Sequence, residues 1–358
     1  MKVSFISPAP NLSGGVRVVA IYARILQDRG HDVSIVFPSR PQARGLLGRW
    51  RRPKNAAREP SHFDGKGLRL IEVDSDQPIR AASVPDGDAV IATWWETAEW
   101  VHAYPKRCGK KMYLIQHHEV HSILPRDRSS ATYRLPLHKI VVARWLADVM
   151  RTEYGDDEVD VVPNSVDHSQ FFAAERGKRA QPTVGLLYST IDWKRFPLAL
   201  ETVVELNRRN PAVRGLCFGI EQPPFPLPPC ITFKFDPPQH TLRDLYAACD
   251  VWLTASSSEG FNLPAMEAMA CRTPVVATRT GWPAEAIVAG FNGACVDVDD
   301  GAALVRETER ILALPDAPWR RLSANAFETV RESSWERSAD LFERSLLAQV
   351  EGAAALPA

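Results

Sequence analysis

"SSSEGFNLPAMEAMACRTPVV", residues 256–276, sets two glutamates, a proline and a run of small residues in one short stretch. Glu259 and Glu267 are separated by seven residues. Residues 256–262 follow a strand-like run and precede a helical one. Pro264 suits a first helical turn, where its missing N–H costs nothing. The N–H groups of Gly260, Phe261, Asn262 and Leu263 are then expected to point one way, as a site for an anion such as a diphosphate. Gly260 permits close backbone approach. Glu259 is expected at the carboxyl edge of a sheet and Glu267 about one turn inside the helix. On spacing alone, an acid here also reads as a complement to the helix dipole or a solvated loop side chain.

The surrounding pattern is strand, helix, strand. "KVSFISP" reads as a buried strand, Asn11 to Gly15 as a turn, "VRVVAIYARILQDRG" as a helix stopped by Gly30, and "HDVSIVF" as the next strand. The pattern restarts with strand 183–189, helix 196–210 and strand 213–219. Thr241 begins a further helix with Asp244 at capping-box spacing. Strand 251–256, the "LPAMEAMAC" helix and strand 273–278 follow. Such alternation implies parallel sheets. Residues 173–182, "AAERGKRAQP", are polar and end in proline, so they read as a linker. The expected fold class is α/β, with two doubly wound Rossmann-like halves facing each other across a cleft. Residues 1–172 form the first domain, 179–334 the second, and the helix at 335–350 packs back onto the first. Ligands of such sheets bind outside the carboxyl ends of the strands.

With 358 residues the chain exceeds the roughly 250–300 at which one core stops growing. It is 45% hydrophobic and 24% charged, and its acids and bases balance. Nucleic acid usually leaves a more basic imprint and is not an expected partner. Six scattered cysteines show no zinc or redox spacing, and no signal peptide is read before the first strand, so a cytoplasmic protein with reduced thiols is expected. No run of about 20 apolar residues exists to span a membrane. Residues 40–58 hold seven basic side chains and no acid, with Leu46, Leu47 and Trp50 among them. They read as a solvated loop or as a patch for anionic lipid at the inner face of the membrane.

"SEGFNLPAMEAMACRTPVVAT" closely resembles the signature of retaining nucleotide-sugar glycosyltransferases of family four, which have the GT-B fold, and both glutamates fall at that family's spacing. "SGGVRVV", "VVPNSVDHSQFF", "GFNGACVDVDD" and "SSWERSADLFERSLLAQV" resemble further family segments. The resemblance implies transfer of a sugar from a nucleotide-diphosphate sugar to a hydroxyl of a glycan, lipid-linked or small-molecule acceptor, as in polysaccharide biosynthesis. Retention is implied, and no metal or other cofactor is expected. By the same resemblance Glu267 meets the ribose, Glu259 faces the transferred sugar, and Lys194 neutralises the departing diphosphate. Gly14 and Gly15, in the first strand-to-helix loop, approach the donor diphosphate and acceptor. His118 of "LIQHHEV" lies near acceptor and sugar, with His117 the less favoured candidate.

Four departures stand out. Tyr188 and Ser189 occupy the family's Gly-Arg places, which leaves Ser189 and Arg195 as donor-side candidates without the usual cation. Some bacterial surface-polysaccharide members, including rhamnosyl-transferring ones, look similar in "YST" and "WK". Asn262 replaces a family glycine, as does Ser165, and Ala143 replaces a common serine. The missing cation leaves a non-catalytic nucleotide-sugar or glycan binder as the alternative, beside a GT-B epimerase. A dehydrogenase is disfavoured by the absence of Gly-x-Gly-x-x-Gly after either first strand. "TWWETAEW", 93–100, offers aromatic faces for stacking on a sugar or for packing.

Overall fold

The computed structural model describes residues 1–39, 60–74 and 78–352. The basic segment 40–58 lies outside the described residues. The chain divides into two compact units, residues 1–164 with the segment from Trp335 onward, and residues 165–334.

The first unit is a seven-stranded parallel sheet. Its strands are β1 (Lys2–Ile6), β2 (Asp32–Pro38), β3 (Arg69–Val73), β4 (Ala89–Ala92), β5 (Lys110–Ile115), β6 (His138–Val141) and β7 (Val159–Val161). Their order is β3-β2-β1-β4-β5-β6-β7. Helices α1 (Gly14–Asp28), α2 (Trp95–His102), α3 (Arg126–Thr132) and α4 (Arg144–Tyr154) connect them. The β1 interior, Val3 to Ile6, is fully buried, as a strand covered on both faces requires. Ser13 caps α1, its hydroxyl accepting from Val16 N–H at 3.4 Å. Gly14 and Gly15 therefore open the helix, not the loop before it. Gly30, at φ 88°, ends that turn.

The C-terminal helix α11 (Trp335–Glu351) belongs to this unit and lies against α1. Phe342 stacks on Tyr22 at 4.5 Å, and Trp335 meets the edge of the same ring. At the rim Arg29 pairs with Asp340 and Glu343. Deeper, Ser345 donates to Asp160 Oδ2 at 2.5 Å and His138 Nε2 donates to the same oxygen at 2.8 Å.

The second unit is a six-stranded parallel sheet. It comprises β8 (Thr183–Leu187), β9 (Arg214–Gly219), β10 (Ile231–Phe235), β11 (Val251–Thr254), β12 (Val275–Thr278) and β13 (Gly293–Val296). Their order is β10-β9-β8-β11-β12-β13. Its helices are α5 (Phe196–Arg209), α6 (Leu242–Ala247), α7 (Leu263–Ala270), α8 (Gly281–Ala286), α9 (Gly301–Leu312) and α10 (Asp316–Val330). The doubly wound α/β expectation holds in both units.

Two local expectations change. The division falls at Asn164, not after residue 172, because residues 165–172 are held by the second unit. His168 Nε2 donates to the Val330 carbonyl at 3.1 Å and Phe171 packs edge-on against Tyr246. Nor is 173–182 a free linker. Arg176 lies over the Trp319 ring at 4.5 Å, and Lys178 N–H donates to Asp316 at 2.7 Å. The second change concerns Thr241, which forms no capping box. Its hydroxyl donates to the Pro238 carbonyl at 2.8 Å, closing a short turn ahead of α6. Among the described residues no helix is long and apolar enough to cross a membrane.

The Asp160 cluster gives a stability prediction. Burial pushes its carboxyl up, but hydrogen bonds from His138 and Ser345 outweigh this and hold it below its ordinary value. A depressed carboxyl stabilises the fold above the unfolded-state pKa and loses that contribution as pH falls through the folded-state value. Ser345→Ala should cost about 1–2 kcal/mol in urea unfolding at neutral pH. The gap to the unsubstituted protein should narrow on acidification through the carboxylate range.

Candidate active site at the strand ends of the second unit

The order of the second sheet reverses between β8 and β11. From β8 the chain proceeds to β9 and β10 on one side, and from β11 to β12 and β13 on the other. The loops leaving β8 and β11 therefore part at a topological switch point, where ligands of open α/β sheets bind. Lys194 lies in the first of these loops and Glu259 in the second. Ser257 N–H donates to the Trp193 carbonyl at 2.8 Å, tying the two loops by backbone. Beside that tie, Lys194 Nζ donates to both carboxylate oxygens of Glu259, each at 2.8 Å. The glutamate side chain is 6% exposed and the lysine 25%, so the pair is open on the lysine side.

Glu259 has two further close neighbours, Ser256 and Gly281. Ser256 Oγ donates to Oε1 at 2.7 Å. Gly281, at φ 60°, leans against it so closely that a Cβ there would lie 2.8 Å from Glu259 Cβ and from the Phe261 carbonyl oxygen. Trp282 N–H donates to that carbonyl at 2.9 Å, and its ring stacks on Phe261 at 5.7 Å. A small cavity of about 20 Å³, lined by Lys194, Thr254, Ser256, Glu259, Asn262 and Pro264 among others, has room for one water.

Gly260, Phe261, Asn262 and Leu263 are all buried and lead into α7. Asn262 is the residue before the helix and adopts φ 80°, ψ 64°. Glu267 sits inside α7, 3% exposed, accepting from the Tyr246 hydroxyl at 2.8 Å. Burial pushes the neighbouring Cys271 thiol up, and the charge of Glu267 pushes it further. Arg195 is not brought to the pair. Its guanidinium binds Asp299 Oδ1 at 2.9 and 2.5 Å. Ser189 Oγ accepts from Ile191 N–H, closing a turn, and Tyr188 is core, edge-on to Phe196 at 4.8 Å.

In the first unit the order reverses between β1 and β4, with β5 next to β4. Gly15 lies after β1, its carbonyl accepting from Gln116 Nε2 at 3.1 Å; Gly14 is exposed. His118 lies just past β5, with Nε2 hydrogen-bonded to the Tyr154 hydroxyl at 2.7 Å. His117 turns to His121, ring to ring at 4.6 Å. Of the tryptophans of 93–100, Trp95 and Trp100 are buried and Trp94 is partly exposed. Trp95 N–H, at the start of α2, donates to the buried Glu119 carboxyl, which burial raises well above its ordinary value.

Residues 227–329 match the family of glycosyl transferases group 1. That region holds Glu259 and Glu267 but not Lys194. The chain is 31% identical over 210 residues to a D-inositol 3-phosphate glycosyltransferase of Frankia alni, covering 51% of each. To a protein of the same name from Geodermatophilus obscurus it is 31% identical over 241 residues, 60% of this chain and 52% of the relative. The chain thus spans about half the length of the curated relatives it matches. Among solved structures it is similar to sucrose-phosphate synthase of Thermosynechococcus elongatus, with TM-score 0.75 and 19% identity over 99% of this chain and all of that one. HepE of Anabaena, solved with UDP-glucose, gives TM-score 0.75 and 15% identity over 97% of this chain and all of that one. The fold is GT-B.

The sequence missed the partners of the acids: Ser256 and Gly281 for Glu259, Tyr246 for Glu267. "SSS" before Glu259 was the available signal for the first.

His118 gives the pH prediction. Burial lowers its pKa first; Glu153 opposes this, while His121 and Arg126 add to it. The folded state therefore favours the neutral ring, and acidification below its ordinary pKa of about 6.5 disfavours the folded state. His62 and His121 are also lowered by burial, so an NMR titration should show several imidazoles with midpoints below about 6.5, one of which disappears in His118→Asn.

Proposed function

We propose that the protein transfers a sugar from a nucleotide-diphosphate sugar to an acceptor hydroxyl, with retention and without a metal ion. The second unit takes the donor and the first the acceptor. The observation that carries this reading is the Lys194–Glu259 pair at the switch point of the second sheet. An ammonium has three N–H donors, and two are spent on Glu259. The third is left for the diphosphate. Glu259 faces the sugar and supports positive charge at the anomeric carbon as the bond to the diphosphate oxygen breaks. The electron pair leaves with the diphosphate, whose charge Lys194 and the start of α7 offset. The acceptor oxygen bonds to the anomeric carbon on the same face, and its proton passes to a diphosphate oxygen.

Glu267 meets the ribose, Gly14 and Gly15 approach the donor diphosphate and acceptor, and His118 lies near the acceptor and sugar. HepE binds UDP-glucose, and the curated relatives are named for D-inositol 3-phosphate, so a UDP-hexose and inositol 3-phosphate are the first pair to try. Deoxyhexosyl donors and glycan or lipid-linked acceptors follow. Contact of residues 40–58 with anionic membrane is part of the same reading, tested by liposome flotation with and without anionic lipid.

A second reading, a nucleotide-sugar binder without turnover, is favoured by one observation. The family's second cation is missing: Tyr188 is core, Ser189 closes a turn, and Arg195 is engaged with Asp299.

The test is a panel of UDP, GDP and dTDP sugars screened for thermal stabilisation, then for nucleotide release with acceptor. Stabilisation without release supports the binder. Given turnover, Glu259→Ala and Lys194→Ala should each lose about 10²–10³ in kcat. Glu267→Ala should mainly raise the KM for donor. Near-full turnover by Glu259→Ala at saturating donor overturns the assignment.

A further inference from the structure

Asn262 ends in a chain of hydrogen bonds that runs to Glu259. Its Nδ2 donates to Thr254 Oγ1 at 3.1 Å. The Thr254 and Ser256 hydroxyls are 3.4 Å apart. Ser256 Oγ donates to Glu259 Oε1 at 2.7 Å. The direction of every bond follows from proton counting. A carboxylate only accepts, so Ser256 spends its single hydrogen on Glu259. The hydrogen between the two hydroxyls must then come from Thr254. With that hydrogen committed, Thr254 can only accept from the third member, and the amide of Asn262 supplies the donor. All three bonds point toward the carboxylate, whose other side is bound by Lys194. Ser256 and Asn262 are buried, at 1% and 6% exposure, so the chain is sheltered from bulk solvent.

The backbone at Asn262 imposes a second demand. Its φ of 80° lies in the left-handed region, which Gly, Asn and Asp visit most readily. Glycine suits the backbone but has no amide. Aspartate suits it but can only accept, which would draw the Thr254 hydrogen away from Ser256. Among these three residues only asparagine meets both requirements.

We infer that Asn262 is a positioning residue for Glu259, acting through the Thr254 and Ser256 hydroxyls to fix the carboxylate plane. When the third Lys194 donor engages the diphosphate, Ser256 and Lys194 still hold Oε1, and Oε2 keeps a lone pair for the sugar. This rests on the reading that Glu259 serves the transferred sugar.

Two measurements test it. The first is steady-state turnover of the donor found by the nucleotide-sugar panel. Asn262→Gly and Thr254→Val should each lower kcat roughly five- to tenfold with donor KM little changed. Thr254→Ser should restore wild-type kcat, and Asn262→Asp should fall below Asn262→Gly. The double variant Asn262→Gly/Thr254→Val should be no worse than either single one, because both cut the same chain. A purely backbone role predicts instead that Asn262→Gly and Asn262→Asp both keep wild-type kcat, and that result overturns the inference. The second measurement does not depend on glycosyl transfer. Acylation of the Lys194 amine by a small N-hydroxysuccinimide ester, followed by peptide mass spectrometry, reports how tightly Glu259 holds it. Labelling should be faster in Asn262→Gly and Thr254→Val, with unchanged melting profiles showing intact folding. Equal rates in all variants overturn the inference even where no nucleotide sugar is turned over. Faster labelling with no turnover by the wild type rejects the enzyme reading alone.

Discussion

The ion pair between Lys194 and Glu259 is the contact on which the second unit's site depends. It joins two loops that leave neighbouring strands and then diverge, so it spans the one place in the sheet where the connections part. The pair is not an ordinary surface salt bridge. Its carboxylate is almost fully covered, and removing one partner would leave a buried charge, which typically costs several kcal/mol. Its cation remains partly open. Such an arrangement holds a carboxylate in place from beneath and leaves the positive end available to an incoming anion.

Much of the surrounding structure serves that placement. The small residues in α7 and just after it, with Ala268, Ala270 and Cys271 fully buried, let the helix sit close on the sheet and set the height of residues 259–263. Gly281 leaves no space for a side chain against Glu259, and Trp282 clamps the Phe261 carbonyl and ring. These contacts restrict the loop from several sides, which suits a group that must meet a reacting atom with little reorganisation.

The strands and most helices were legible because their signals are local. Buried parallel strands read as apolar runs, and α1 and α5 carry helical spacing and clear stops. The GT-B fold was legible from the motif at 256–276 and from the recurrence of strand and helix. What was not legible depended on tertiary partners. Residues 165–172 look like the end of the first half until His168 and Phe171 are seen bound to the second. Thr241 has the spacing of a cap, but the turn before it claims its hydroxyl. Arg195 follows Lys194 directly, yet a left-handed backbone at φ 50° accompanies its pairing with Asp299 instead of the site. Glu259 and Lys194 were both legible as candidates, but not as each other's partners, since 64 positions separate them. Asn262 looked like a flaw in the motif. Its backbone angle and its amide give it a physical reason to be there.

The most direct measurement is a ³¹P NMR titration of the nucleotide sugar that most stabilises the protein, comparing wild type with Lys194→Met. Both diphosphate resonances should shift and broaden on wild-type protein, and Lys194→Met should largely abolish the change while remaining folded. Equal perturbation by both proteins would contradict this, because the diphosphate would then lie away from the Lys194–Glu259 pair.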